Sequence, residues 1–272
     1  MAPRSGAEVL DGRPDVMRDR TYLGTCALLF LASAGGTIYW CGSMSGGMPM
    51  PGGWTMSMAW MRMPGQTWTG AVASFMGMWV LMMVAMMLPS LVPMLSAYRA
   101  SLHHSPATRL GRLTAVAGAG YFLVWAAVGA VAYPLGLVLA AAEMRWQPLA
   151  RSVPIATGAV LLLAGCLQLT AWKARQLGHC RAAPVCRGSP PPDAVSAGRH
   201  GLRLGVRCSL CCSGLMMILF VTGVMDLGAM AMVAAAITLE RLAPRPEWVA
   251  RATGAVAIVA GAAVLVRALH QA

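Results

Sequence analysis

The stretch CSLCCSGLMMILFVTGVMDLGAMAMVAAAITLE, residues 208–240, is an apolar run of 33 residues on which the fold depends. One helix of this length would be about 50 Å long at 1.5 Å per residue, whereas the hydrocarbon core of a bilayer is about 30 Å thick. Gly223 and Asp226 interrupt the run, and both residue types are poor helix formers. We therefore predict two short membrane spans that meet near Gly223–Asp226, with a single long span as the alternative.

The composition of the whole chain indicates an integral membrane protein. The 272 residues are 58% hydrophobic and 11% charged, with a mean hydropathy of +0.63, whereas soluble domains carry about 25% charged residues. The net charge of +12 comes from 20 Arg and the single Lys173. In a soluble protein this charge would indicate nucleic-acid binding. In a membrane protein it indicates basic cytoplasmic segments, so we expect the lipid bilayer and no nucleic acid as a partner.

Hydropathy predicts an all-α, polytopic bundle of about seven transmembrane helices, with six as the alternative and no soluble domain. The predicted spans are 21–41, 70–97, 113–142, 153–172, two within 208–240, and 252–269. Residues 21–272 then form one transmembrane domain after a disordered cytoplasmic tail at 1–20. In this topology 17 of the 21 Lys and Arg residues are cytoplasmic, as the positive-inside rule favours. Residues 173–207 form a basic cytoplasmic loop.

Three cysteines stand at the start of the apolar run with the spacing C-x-x-C-C. If the segment is helical, the thiols of Cys208, Cys211 and Cys212 lie at i, i+3 and i+4, on one face. Soft thiolates select Cu(I), zinc or iron–sulfur over magnesium or calcium. A turn that brought back His200 would complete a set of three or four ligands at the membrane edge. The alternative is that these cysteines are small buried hydrophobes.

Methionine is the compositional outlier, with 22 residues concentrated in two segments. The first is the outer loop 42–68, whose Gly and Pro content argues against regular structure. The second is the span 70–97, where Met83, Met86 and Met87 belong to helical stripes that would form a ladder of thioethers across the membrane. Thioethers are soft ligands for Cu(I) that need no deprotonation. The alternatives are a loop that lies on the bilayer interface and methionines that serve packing alone.

Asp226 is a carboxylate within the apolar run. Such a residue is costly in lipid and usually faces a polar interior or an ion, but at a helix break it caps the following helix. Both interpretations are open from sequence. The chain has no P-loop, zinc-protease signature or nucleophile elbow, so nothing in its motifs indicates an ATP-driven pump or a hydrolase.

Three segments of the chain carry a family resemblance. They are WVLMMVAMMLPSLVPM (79–94), the run from His200-Gly201 to CSLCCSGLM (208–216), and GVMDLGAMA (223–231) followed by LERL (239–242). Together they resemble a bacterial family of predicted metal-binding integral membrane proteins, domain of unknown function 2182. The resemblance implies a polytopic inner-membrane protein with a metal role. It places at motif positions Pro89 and the candidate metal ligands Cys208, Cys211, Cys212, His200, Met83, Met86, Met87, Met225 and Asp226.

From these observations we expect a multi-pass protein of the bacterial inner membrane with its N-terminus in the cytoplasm. It would bind or pass a soft metal ion, Cu(I) in preference to zinc, by ligand exchange between thioethers and thiolates. It would act as a transporter, or as a chaperone that serves a metallochaperone or a metalloenzyme client. Two other functions stay open. One is a non-catalytic assembly scaffold, and the other is a thiol redox protein that uses Cys208 and Cys211.

Overall fold

The computed structural model describes residues 7–43, 47–51, 53–62, 65–102, 106–181 and 193–271. Within them the helices are α1 Ala7–Ser43, α2 Trp68–Ser101, α3 Ala107–Arg145, α4 Gln147–Gln168, α5 Ala171–Arg181, α6 Ala194–Thr222, α7 Leu227–Leu242 and α8 Pro246–Gln271. Two short strands, β1 Met48–Met50 and β2 Trp54–Met56, pair in the loop between α1 and α2. The predicted all-α fold class is confirmed.

Six helices in the described ranges are long and apolar enough to cross a membrane, namely α1 from Arg20, α2, α3, α4, α6 and α8. α7 has 16 residues and is about 24 Å long. The turn before it places Met225 against Cys41 of α1, and its last turn places Glu240 against Gln168, the last residue of α4. α7 therefore runs between the same two ends of the bundle as α4, which agrees with about seven spans.

The outer surface of the bundle is apolar. Leu28 of α1, Val138 of α3 and Val259 of α8 are 71%, 69% and 69% exposed. A contiguous apolar exterior of this kind is unfavourable in water and suits a lipid environment. Together with the six membrane-length helices, it identifies a multi-pass membrane protein.

The break between α6 and α7 lies where the sequence predicts it. Gly223 follows the last residue of α6 with φ +123°, a conformation that favours glycine. Asp226 is the N-cap of α7, and its Oδ1 accepts a hydrogen bond from the backbone N–H of Ala229 at 2.8 Å. The helix-cap interpretation of Asp226 is thereby confirmed.

Two segments predicted to lack structure are helical. α1 begins at Ala7, so residues 7–20 continue the first span instead of forming a disordered tail. Extending an existing helix needs no new nucleus, so polar residues next to an apolar span are readily helical. In the predicted basic loop 173–207, residues 182–192 lie outside the described chain, residues 173–181 belong to α5 and residues 194–207 belong to α6, with Asp193 as its N-cap.

The helical period explains why the basic segment is ordered. Arg199, Arg203 and Arg207 recur every four residues and share one exposed face of α6. Leu204 and Gly205 are among the buried residues on the opposite face. The number of charges in this segment suggests a loop, but the four-residue spacing of the arginines is that of an amphipathic helix.

The Met-rich loop is partly regular, which corrects the prediction from its Gly and Pro content. β1 and β2 pair antiparallel around a turn in which Gly53 has φ +75°, so this glycine favours the hairpin. A 3-10 turn, Met58–Trp60, follows. Trp54 Nε1 donates to the carbonyl of Ala150 at 2.9 Å, which fastens the hairpin to α4. Two methionines of this loop lie outside the described residues, Met44 and Met63.

One continuous buried core joins the two ends of the bundle, with α2 at its centre. It extends from Cys41 and Met78 at the hairpin end, past Cys208 and Cys212, to Tyr98 and Leu102. Trp79 of α2 is fully buried, and its Nε1 donates to the carbonyl of Trp125 in α3 at 2.8 Å. The core thus connects the two regions that the sequence marks as sulfur-rich.

Candidate metal centre

Close packing of α6 on α3 sets the position of Cys208. A Cβ at Gly201 would overlap the backbone of Ala117, and a Cβ at Gly205 would crowd the carbonyl of Tyr121. Glycine at these positions lets the two helices approach closely. One turn further along α6, the Tyr121 hydroxyl donates to Cys208 Sγ at 2.8 Å. The tyrosine thereby holds the thiol on the inner face of α6.

Three sulfur atoms meet at this point. Cys208 Sγ lies 3.9 Å from Cys212 Sγ and 3.9 Å from Met87 Sδ of α2. The exposed fractions of Cys208, Cys212 and Met87 are 1%, 2% and 0%. The i, i+4 spacing places both thiols on one face, as predicted for a helix. We call these three residues the thiol centre.

Arg241 of α7 directs its charge at the thiol centre. Its side chain is 5% exposed, and Nη2 lies 3.8 Å from Cys212 Sγ and 4.0 Å from Cys180 Sγ. Nη1 donates to Ser90 Oγ at 3.4 Å. No carboxylate in the described part of the chain forms an ion pair with this guanidinium. A buried cation of this kind requires a compensating negative charge, and the nearest groups able to supply it are the thiols.

A second charged pair lies beside the centre and is internally balanced. Lys173 Nζ is 2.7 Å from Glu240 Oε2, and both side chains are 2% exposed. Lys173 also donates to the carbonyl of Cys211 at 2.7 Å, and Gln168 Nε2 donates to Glu240 Oε1 at 2.6 Å. These bonds join α4, α5 and α7 to α6, so the pair holds the helices around the thiols.

Cys211 belongs to a different packing cluster from Cys208 and Cys212. It packs with Leu177, Cys180 and Ala250 in a separate small cluster, and the Cys180 thiol donates to the carbonyl of Arg207 at 3.1 Å. The interaction with Cys211 and the charge of Arg241 lower the pKa of Cys180. All three motif cysteines are buried, and it is Cys208 that contacts both Cys212 and Met87. Cys186 of the predicted loop lies outside the described residues.

His200 does not join the thiols. The prediction requires a turn that brings it back to Cys208, but α6 is unbroken from Ala194 to Thr222. Eight residues of continuous helix separate the two by about 12 Å along the axis. His200 instead stacks on Tyr98 of α2, with ring centroids 4.6 Å apart.

The remaining predicted ligands divide between the two ends of the bundle. Asp226 caps α7, and Met225 contacts Cys41 at 3.8 Å, both at the end opposite the thiol centre. Met83 and Met86 are 0% and 3% exposed and lie in the core between the ends. The predicted set is therefore spread along the bundle instead of forming one site.

The sequence alone assigns no role at the site to Tyr121 or Arg241, whereas it offers Cys180, paired with Cys186, as a possible second half of a metal site. The sequence does contain a signal for buried charge near Arg241. Glu240 and Arg241 follow directly on an apolar run, and Lys173, which pairs with Glu240, is the single lysine of the chain. By sequence the Glu–Arg pair is most simply the polar end of a span, because a sequence does not show which charges become buried. Nothing in the sequence indicates which aromatic residue would meet Cys208.

Among the described residues, no group of three or more His, Cys, Asp or Glu side chains is arranged to hold a metal ion. A metal at the thiol centre therefore needs the Met87 thioether as its third ligand. Two thiols and a thioether form a soft donor set, which suits Cu(I).

Comparison with known proteins connects the chain with copper. No curated protein and no solved structure matches the chain. A family model described as a copper chaperone, PpoB2, matches residues 76–264, more than half of the chain and including α6 and most of α2. The metal role implied by the sequence resemblance is thereby specified as a copper-related one. The chain belongs to the PpoB2 copper chaperone family.

Proposed function

We propose that this protein is a membrane copper chaperone that holds Cu(I) between Cys208, Cys212 and Met87. The sulfur spacing carries the proposal. Ligands bound at about 2.3 Å, as cysteine sulfur binds zinc, lie about 4.0 Å apart in a trigonal arrangement. Cys208 Sγ lies 3.9 Å from Cys212 Sγ and 3.9 Å from Met87 Sδ. A soft ion would therefore bridge Cys208 to Cys212, or Cys208 to Met87, with little movement of these sulfur atoms.

The charge of the site favours a monovalent ion. Two thiolates and Cu(I) carry a net charge of −1, which the buried Arg241 guanidinium brings to zero. Zinc with the same ligands would be neutral and would leave the arginine without a counter-charge in a region of low dielectric constant, which is unfavourable. We therefore propose that the thiol centre binds Cu(I) more tightly than it binds zinc.

The buried methionines of α2 offer a route to the thiol centre. Met78, Met82, Met83, Met86 and Met87 are each at most 3% exposed and share the core. Their spacing places a thioether at nearly every turn of the helix. Cu(I) would move by leaving one thioether as it gains the next, with no change in oxidation state.

The exposed arginines support an orientation. Arg199, Arg203 and Arg207 lie on the part of α6 that precedes Cys208, so the thiol centre is near the basic end of the bundle. Under the positive-inside rule this end is cytoplasmic. We place the protein in the bacterial inner membrane with its N-terminus in the cytoplasm, where it would exchange Cu(I) with a metallochaperone or a metalloenzyme client.

Copper retention tests the proposal. Protein purified in detergent under reducing, anaerobic conditions is loaded with Cu(I) and washed with a chelator strong enough to remove Cu(I) held by thioethers and a single thiolate. We expect about one copper per chain by elemental analysis, and at least ten-fold less in C208S/C212S. The matched control is C166S, because Cys166 is an exposed thiol on α4.

The same preparation separates the alternative functions. Equal copper retention in C208S/C212S and C166S would overturn the thiol centre. A metal-free protein with a dithiol that titrates in a redox buffer would favour the redox function of Cys208 and Cys211. Absence of both properties would favour a scaffold.

A further inference from the structure

Sulfur side chains from four separate segments converge at the hairpin end of the bundle. The Cys41 thiol of α1 lies 3.8 Å from Met225 Sδ in the α6–α7 turn. Met78 of α2 is 3% exposed in the same core. The segment after β2 contributes Met58 and Met61. Because these segments are distant in sequence, only the fold brings their sulfur atoms to one place.

A small cavity of about 80 Å³ opens between these segments. Four thioethers line it, those of Met58, Met61, Met78 and Met225. A cavity needs about 15 Å³ to hold one water molecule, so an ion and its ligands have room. Aromatic residues complete the wall, namely Trp40, Phe75 and Tyr133, and aromatic rings attract cations.

The charge of this cavity also balances with Cu(I). No charged side chain is among the described residues that line it. Thioethers are neutral, and Cys41 would contribute one negative charge after releasing its proton to solvent on metal binding. One thiolate and Cu(I) are neutral together, whereas a divalent ion would leave a buried positive charge, which is unfavourable.

The cavity is connected with the thiol centre through α2. Met78 and Met87 are nine residues apart, which is about 14 Å along a helix. Met82, Met83 and Met86 lie between them in the same continuous core. The methionines of α2 alone therefore supply sulfur atoms along the whole distance between the cavity and the thiol centre.

We propose that these residues form a second Cu(I) site, the hairpin site, whose ligands are Cys41, Met225 and the cavity methionines. Building on the proposed function, the hairpin site takes up Cu(I) at the end opposite the thiol centre. The metal then passes along the α2 methionines. Each exchange breaks one copper–sulfur bond as another forms, and copper stays in the +1 state throughout.

The test uses the C208S/C212S protein, in which only the hairpin site is complete. With Cu(I) as the probe and a weaker chelator in the wash, we expect about one copper per chain, bound to sulfur by X-ray absorption. Adding C41S and M225L should lower copper retention at least ten-fold. The matched controls are C166S and M232L, since Met232 is 70% exposed. Zn(II) should not be retained.

The converse variant separates this proposal from the proposed function. C41S/M225L in the otherwise unchanged chain should keep its copper at the thiol centre under the strong chelator. Absence of copper in C208S/C212S, with an unchanged helical circular-dichroism signal and elution volume, would overturn the hairpin site alone. Unchanged retention after adding C41S and M225L would overturn it as well.

Discussion

The thiol centre and the hairpin site lie in one buried core, about 14 Å apart along α2, and would balance the charge of a bound ion with different residues. The thiol centre has two thiols, one thioether and a buried guanidinium from Arg241. The hairpin site has one thiol, several thioethers and no charged residue in its described lining. With Cu(I) bound, both would carry no net charge. The comparison indicates that a monovalent cargo is accommodated by matching the number of thiolates to the local cations.

The largest expected change is in the free energy of unfolding, at the buried ion pair Lys173–Glu240. E240Q would leave Lys173 buried without its partner, which costs about 3–5 kcal/mol. We expect a corresponding loss in the free energy of unfolding, measured by chemical denaturation in detergent.

The double variant K173M/E240L is the control for this pair. It removes both charges, so it should be less destabilised than E240Q. Equal destabilisation of the two proteins would show that the bundle near the thiol centre does not depend on charge balance, and would weaken the contrast between the two ends.

Arg241 is the clearest difference between the two sites, because its buried charge lies at the thiol centre and no charged residue lines the described hairpin cavity. R241L should lower Cu(I) affinity at the thiol centre about a hundred-fold, equivalent to about 3 kcal/mol, because the anionic complex loses its counter-charge. The metal-free protein should be equally or more stable, since a buried unpaired cation is removed. Competition titration and denaturation measure the two effects. A weakened hairpin site in R241L would contradict the assignment of this charge to one end.

The methionines between the two ends test whether the sites communicate. M83L/M87L should reduce Cu(I) flux into liposomes at least ten-fold, because Leu keeps the volume and removes the thioether. Of these two methionines only Met87 belongs to the thiol centre. The single variant M83L should therefore lower Cu(I) flux and leave copper retention at the thiol centre unchanged. Unaltered flux in M83L/M87L relative to the lipid-facing control M232L would indicate two independent sites.

The smallest effect is expected from Y121F. The Tyr121 hydroxyl donates to Cys208 Sγ at 2.8 Å, and hydrogen bonds to charged groups contribute about 1.5–3 kcal/mol. Loss of this bond should weaken Cu(I) binding at the thiol centre about ten-fold. Tyr133 lines the hairpin cavity, so Y133F serves as the matched control and should leave the thiol centre unchanged. Equal copper affinity in Y121F and the parent would show that the hydroxyl only packs.

Sequence reasoning anticipated the elements better than the contacts between them. The break at Gly223–Asp226 and the helical i, i+4 relation of Cys208 and Cys212 follow from local rules, so they were predictable. The error at His200 concerns the length of one helix, because the unbroken α6 keeps a residue eight positions before Cys208 from returning to it. The predictions of a disordered tail and a basic loop differ from the structure because α1 and α6 continue beyond the apolar segments from which the spans were predicted.

The sequence by itself determined that the chain is a helical membrane bundle, because a bilayer requires long apolar helices and these are visible in composition and spacing. It also determined which side chains can bind a soft metal. Only the tertiary structure decided which of them meet. Met87 lies 121 residues from Cys208, and Met225 lies 184 residues from Cys41. Whether Arg241 is a surface charge or a buried counter-ion depends on how α7 packs beside α6, and no local pattern in the chain encodes that contact.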